Sequence, residues 1–71
     1  MAEGGYIFGG APSGVVYIWE ASRGRLLVSL PAHYKAVSSI SVSSCGSYLI
    51  TGGEDSVVNV WELMHILDAG R

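Results

Sequence analysis

The sequence predicts an all-β protein, an antiparallel meander that carries one strand unit about one and a half to two times. Three observations predict it. Val15–Val16–Tyr17–Ile18–Trp19–Glu20 and Val57–Val58–Asn59–Val60–Trp61–Glu62 are copies of one alternating, β-branched segment, with Trp19 and Trp61 standing 42 residues apart. The same ungapped register sets Gly4 on Gly46, Tyr6 on Tyr48 and Gly10 on Gly52. Short turns of Gly, Ser, Pro and Asp, among them Gly52–Gly53–Glu54–Asp55–Ser56, separate the strand segments.

A repeat of about 40–45 residues, built of four strands and closing on a Trp-acid pair, is the pattern of a β-propeller blade. The bulk numbers agree. A chain of 71 residues hides only about 60% of its surface on folding, yet 49% of the residues are apolar and 14% charged. A blade cannot cover both of its faces without neighbours. The chain is therefore expected to be a piece of a larger, incomplete propeller, with open edges that favour aggregation in isolation.

Taken in order, Met1–Gly5 reads as a flexible N-terminus (residues 1–5). Tyr6–Ile7–Phe8–Gly9 is the first strand, and Gly10–Ala11–Pro12–Ser13–Gly14 is a turn. That glycine-rich turn is not a phosphate loop, because no Gly-Lys-Ser/Thr opens a helix after it. Val15–Glu20 is the second strand. Arg25–Leu30 is the third, and Pro31 is expected to close it, having no N–H to give a ladder. His33–Tyr34–Lys35 connects to Val37–Val42, whose small and β-branched residues suit a crowded inner strand. Tyr48–Thr51 and Val57–Leu63 follow, each joined by what the sequence predicts to be a short hairpin. Residues 6–30 thus read as the second to fourth strands of a first, partial unit. Residues 31–63 read as the first three strands of a second. In the tail, 64–71, the alternation breaks; Met64 and Leu67 lie three apart, so a helical turn and a strand are both open.

Composition excludes several function classes. The net charge is −2 and the only basic residues are Arg23, Arg25, Lys35 and Arg71, too few to neutralise a phosphate backbone. No apolar run approaches the roughly 18–20 residues that span a bilayer. The N-terminus has no basic start or apolar stretch of a secretory leader. Cys45 is the single cysteine, which suits a reducing compartment and excludes an internal disulfide. Lying in a predicted turn without a partner thiol or nearby cation, Cys45 is expected to be an unremarkable, partly exposed thiol. Two histidines 32 residues apart and one cysteine give no metal-ligand spacing, and no cofactor or small-molecule substrate is expected. The chain is read as nuclear or cytoplasmic and not secreted.

Ala32–His33, then Val37, Ile40, Val42, Gly46, Tyr48–Leu49–Ile50–Thr51–Gly52–Gly53, Asp55 and Val60–Trp61–Glu62–Leu63 resemble one near-complete WD-repeat unit. The departures are Ala-His for the opening Gly-His and Trp-Glu for the closing Trp-Asp. The resemblance implies a structural hydrogen-bonded set formed by His33, Thr51, Asp55 and Trp61. Asp55 in its turn can accept from backbone and imidazole, while Thr51 can link the imidazole to the indole N–H, which only donates. A His, an acid and a hydroxyl also spell a hydrolase triad. However, no oxyanion loop or nucleophile elbow accompanies His33 and Asp55, so the chain is read as not an enzyme. The first unit has Gly9 and Ser13 at the Thr and Asp positions. It is expected to be looser, with Trp19 a packing residue. The connections are the expected partner-contact positions: Pro12, Ser13, Ala32, Tyr34, Lys35, Glu54 and Ser56.

Tyr6–Gly10, Val15–Glu20, Arg25–Leu26–Leu27, His33–Tyr34 and the Leu63–Leu67 continuation are similar to the WD repeat-containing protein 18 and Ipi-type family, whose plant members include root-initiation-defective proteins. The resemblance implies a nuclear and nucleolar scaffold subunit of the complex that matures large ribosomal subunit precursors, working with partner proteins of that complex and a large remodelling ATPase. A WD-repeat adaptor elsewhere, such as one recruiting substrates to a ubiquitin ligase, is the alternative.

Overall fold

The computed structural model describes residues 5–69; Met1–Gly4, most of the expected flexible N-terminus, and the last two residues of the tail lie outside the described residues. Six strands form two three-stranded antiparallel sheets. The first holds β1 (Tyr6–Gly10), β2 (Val15–Glu20) and β3 (Arg25–Pro31), and the second β4 (Val37–Val42), β5 (Tyr48–Gly53) and β6 (Val58–Glu62), each in chain order. Helix α1 (Leu63–Ala69) follows β6 directly.

The repeat read from the sequence is a repeat in space. Ile7 pairs with Trp19 and Gly9 with Tyr17 in the first sheet; Leu49 pairs with Trp61 and Thr51 with Asn59 in the second. Both tryptophans therefore occupy equivalent positions in equivalent sheets. The turns repeat too. Ala11 N–H donates to Val15 O at 2.9 Å and Gly14 N–H to Ala11 O at 3.0 Å, while Gly53 donates to Val57 O at 3.1 Å and Ser56 to Gly53 O at 3.2 Å. Gly14 (φ 93°) and Ser56 (φ 67°), 42 residues apart, both stand in the left-handed region that such turns require.

Because side chains alternate along a strand, each sheet has two distinct faces. Phe8, Val16, Ile18, Val28 and Leu30 share one face of the first sheet, as their cross-strand pairings show. That face meets the Ile40, Leu49, Thr51, Asn59 and Trp61 face of the second. Val16, Ile18 and Leu49 are fully buried there, joined by Leu63 and Ile66 from α1. Burying each such aliphatic side chain is worth about 1.5–3 kcal/mol, so one core holds both sheets and the helix.

Six details depart from the sequence reading. Gly10 ends β1 instead of opening the turn, and Val57 stands before β6. Pro31 does not end β3 short but is its last residue, opposite Val15; at the end of an outer strand its missing N–H costs no ladder bond. Leu63 leaves the strand and opens α1 instead, since its buried side chain reaches the core from the helix. Tyr48–Thr51 continues to Gly53. Finally, the β3–β4 connection is not a hairpin. Those strands lie in different sheets, and residues 32–36 carry the chain across.

Candidate functional site

The crossover brings three connections together at one end of the two sheets. Ala32 and His33 donate their amides to Gly14 O at 3.2 and 3.0 Å, Val37 donates to Ala11 O at 3.3 Å, and Glu54 donates to Ala36 O at 2.9 Å. The β1–β2 turn, the crossover and the β5–β6 turn are thereby stitched into one surface. Gly14 permits the approach: a Cβ there would run into the His33 carbonyl oxygen.

Beneath this surface, His33, Thr51, Asp55 and Trp61 form a continuous set. His33 Nδ1 lies 3.1 Å and 3.2 Å from the two Asp55 carboxylate oxygens, and His33 Nε2 lies 2.9 Å from Thr51 Oγ1. Trp61 Nε1–H donates to the same Oγ1 at 3.2 Å. The donor inventory gives the chain a direction. An ionised Asp55 only accepts, so Nδ1 donates to it. Nε2 then accepts from the Thr51 hydroxyl, whose oxygen in turn takes the indole N–H. His33 and Thr51 are buried, and the Asp55 side chain is only 8% exposed.

Asp55 is also the backbone's fastener, accepting from the Tyr34 amide at 3.0 Å and the Val57 amide at 3.1 Å. Desolvation pulls its carboxyl upward, but the Tyr34 and Val57 amides and the His33 ring outweigh that and hold it below the ordinary carboxylate value. The fit is tight at Gly53, where a Cβ would lie 2.6 Å from both the imidazole ring and Asp55 Oδ1.

Sequence reasoning missed Asn59, whose Nδ2 donates to Ala32 O at 3.0 Å. Its signal was available: Asn59 alternates in phase with Trp61 and so faces inward. It also undersold Cys45. The thiol is exposed and free, but Ser43, 3.4 Å away, and then Ser47 hydrogen-bond to it and lower it to about 7. Polar turn residues supply donors where no cation is present. Trp19 packs beside Tyr17, ring centroids 5.8 Å apart, on the outer face of the first sheet.

The hydroxyl, imidazole and carboxylate lie in the order of a hydrolase triad, yet the hydroxyl is fully buried and already engaged by the indole. A nucleophile must have a reacting carbon brought within about 3–3.5 Å, and Thr51 is sealed between two sheets. The residues that do face outward are the tips of the three connections. Pro12, Ser13, Tyr34, Lys35, Glu54 and Ser56 are exposed, Tyr34 to 94%, whereas Ala32 is half-buried with its amide and carbonyl both engaged.

Comparison with known proteins agrees with this architecture. Residues 24–62 match the WD domain, G-beta repeat family. The chain is 51% identical over 59 residues to Pre-rRNA-processing protein IPI3 of Candida albicans, covering 83% of this chain and 12% of that protein. It is 38% identical over 66 residues to Protein ROOT INITIATION DEFECTIVE 3 of Arabidopsis thaliana, covering 93% and 15%. It is 39% identical over 67 residues to human WD repeat-containing protein 18, covering 94% and 15%. The chain thus spans less than a sixth of the length of these relatives. With its family match over more than half of its residues, its repeated three-stranded sheets and its His–Thr–Trp interior, this chain belongs to the WD-repeat family.

Proposed function

We propose that the chain is a segment of a non-enzymatic WD-repeat scaffold serving large ribosomal subunit maturation, in the nucleus and nucleolus, through contacts with other proteins of a maturation complex. The observation that carries this reading is the 51% identity to a protein named for pre-rRNA processing. The division of labour among residues supports the scaffold part. His33, Thr51, Asp55 and Trp61 spend their polar atoms on one another, which suits holding a shape. The first sheet is read as strands two to four of one blade, and the second as the first three of the next.

Partner contact is assigned to the stitched loop surface, with Pro12, Ser13, Ala32, Tyr34, Lys35, Glu54 and Ser56 at its positions. Tyr34 offers a large exposed ring on an ordered backbone, the kind of residue that dominates interface energetics. Affinity purification of the tagged full-length gene product tests the reading. Large-subunit precursors and unprocessed pre-rRNA should co-purify, and Tyr34→Ala combined with Lys35→Glu should reduce their recovery with the fold retained. Recovery of ubiquitin-ligase components without any pre-ribosomal material would overturn it.

A further inference from the structure

Asn59 has no counterpart in the first unit. One repeat earlier its place is held by Tyr17, in the same register: Tyr17 stands opposite Gly9 and Asn59 opposite Thr51. The first sheet pairs without an amide side chain there, so the strand ladder does not require one. The Asn59 side chain instead reaches out of its own sheet. Its Nδ2 donates at 3.0 Å to Ala32 O, on the connection between β3 and β4. Four further bonds hold the same five residues. Ala32 and His33 donate their amides to Gly14 O, Tyr34 donates to Asp55 Oδ2 at 3.0 Å, and Ala36 O accepts from the Glu54 amide at 2.9 Å. The connection is thereby tied to the β1–β2 turn, to the β5–β6 turn and, through Asn59 alone of these residues, to strand β6. Two side chains of the connection stay exposed, Tyr34 and Lys35. Lys35 is the single lysine of the chain and makes no ion pair among the described residues.

We propose that Asn59 is a positioning residue for partner contact. Through the Ala32 carbonyl it holds the connection in the posture that presents Tyr34 and Lys35 together. The surface they fit is that of a protein offering an apolar pocket for the ring and a carboxylate beside it for the ammonium. A connection ordered before binding lowers the cost of ordering it in the complex. Asn59 itself is half-buried, so its effect passes through the connection. The inference rests on the proposed scaffold role and deepens it, by naming what holds the contact surface and what that surface recognises.

The test uses the full-length gene product, with hydrogen exchange of the purified protein as the local readout and recovery of pre-ribosomal particles as the functional one. Asn59→Ala should speed exchange of the Tyr34 amide while the β5 amides keep wild-type protection. It should also lower particle recovery about two- to tenfold, the range that ordering a few side chains commands. Asn59→Asp keeps the size, loses the donor and should behave alike. Ile18→Val, a truncation in the apolar core, separates positioning from stability. It should lower the melting midpoint and leave recovery at the wild-type level. Wild-type exchange at Tyr34 in Asn59→Ala, with particles still recovered, would overturn the inference alone. So would a loss of recovery that merely follows the melting midpoint in both Asn59→Ala and Ile18→Val. A wild-type purification bare of pre-ribosomal particles would overturn the proposed role and the inference together.

Discussion

His33 is the side chain on which the polar interior turns, because its two ring nitrogens join Asp55 to Thr51. Its replacement by alanine strands the Thr51 hydroxyl and removes a partner from Asp55. A buried group left unpaired costs about 1–3 kcal/mol, and for a domain of this size 1 kcal/mol moves the melting midpoint by about 4–8 °C. His33→Ala should therefore lower the midpoint measurably by circular dichroism, and an unchanged midpoint would remove the set from any structural role. Asp55 adds a pH signature. Its carboxyl is held below the ordinary value of 3.8, so its contribution is fully present above that value and is lost as pH falls through the lower folded one. Acid titration of stability should be shallower in Asp55→Asn than in wild type over that window. Cys45 titrates at neutral pH instead: with the thiol at about 7 through Ser43 and Ser47, alkylation by iodoacetamide should reach half its maximal rate near there, and Ser43→Ala should move that midpoint upward. None of this was legible for Cys45 from sequence, since it depends on how a turn aims two hydroxyls.

At the scale of the elements, the strands were legible because period-two alternation sorts the side chains onto two faces. Which face is covered was not, since Val16 and Ile18 are fully buried whereas Val58 and Val60, 42 residues later, are exposed. The ends of the elements were not. Pro31 keeps its place in β3 because an outer strand tolerates a missing N–H, and Leu63 turns helical because the core lies to one side of it. These are tertiary facts with no local signature. The turns show the same division. Gly14 and Ser56 share a left-handed backbone, and Gly14 also sits against a neighbouring main chain. Ser56 therefore bears a side chain in a conformation that costs an L-residue about 1–2 kcal/mol, part of which glycine returns through its freer unfolded chain. Ser56→Gly should raise stability by about 0.5–1 kcal/mol. Gly14→Ala should lower it by more, because the crossover must move. Urea denaturation of the two variants checks both signs, and equal effects would refute the distinction.

For the whole molecule, the question is whether two repeat units joined by a five-residue crossover behave as one body or two. The first unit carries Gly9 and Ser13 where the second carries Thr51 and Asp55, so it has no polar set of its own to tighten it. Yet its inner face is Val16 and Ile18, fully buried against Leu49, with Leu63 and Ile66 closing the same core from a helix that touches both sheets. Neither sheet can open without exposing that shared surface, and its loss would outweigh the stability either three-stranded sheet has alone. Unfolding should therefore be one cooperative event. The repeat itself supplies the reporters. In Trp61→Phe the remaining indole, Trp19, reads only the first sheet, while far-UV circular dichroism reads both. The two signals from that one variant should trace a single transition in urea, at a midpoint lowered by the missing indole bond to Thr51. A fluorescence transition that precedes the circular dichroism would show that the first unit melts separately.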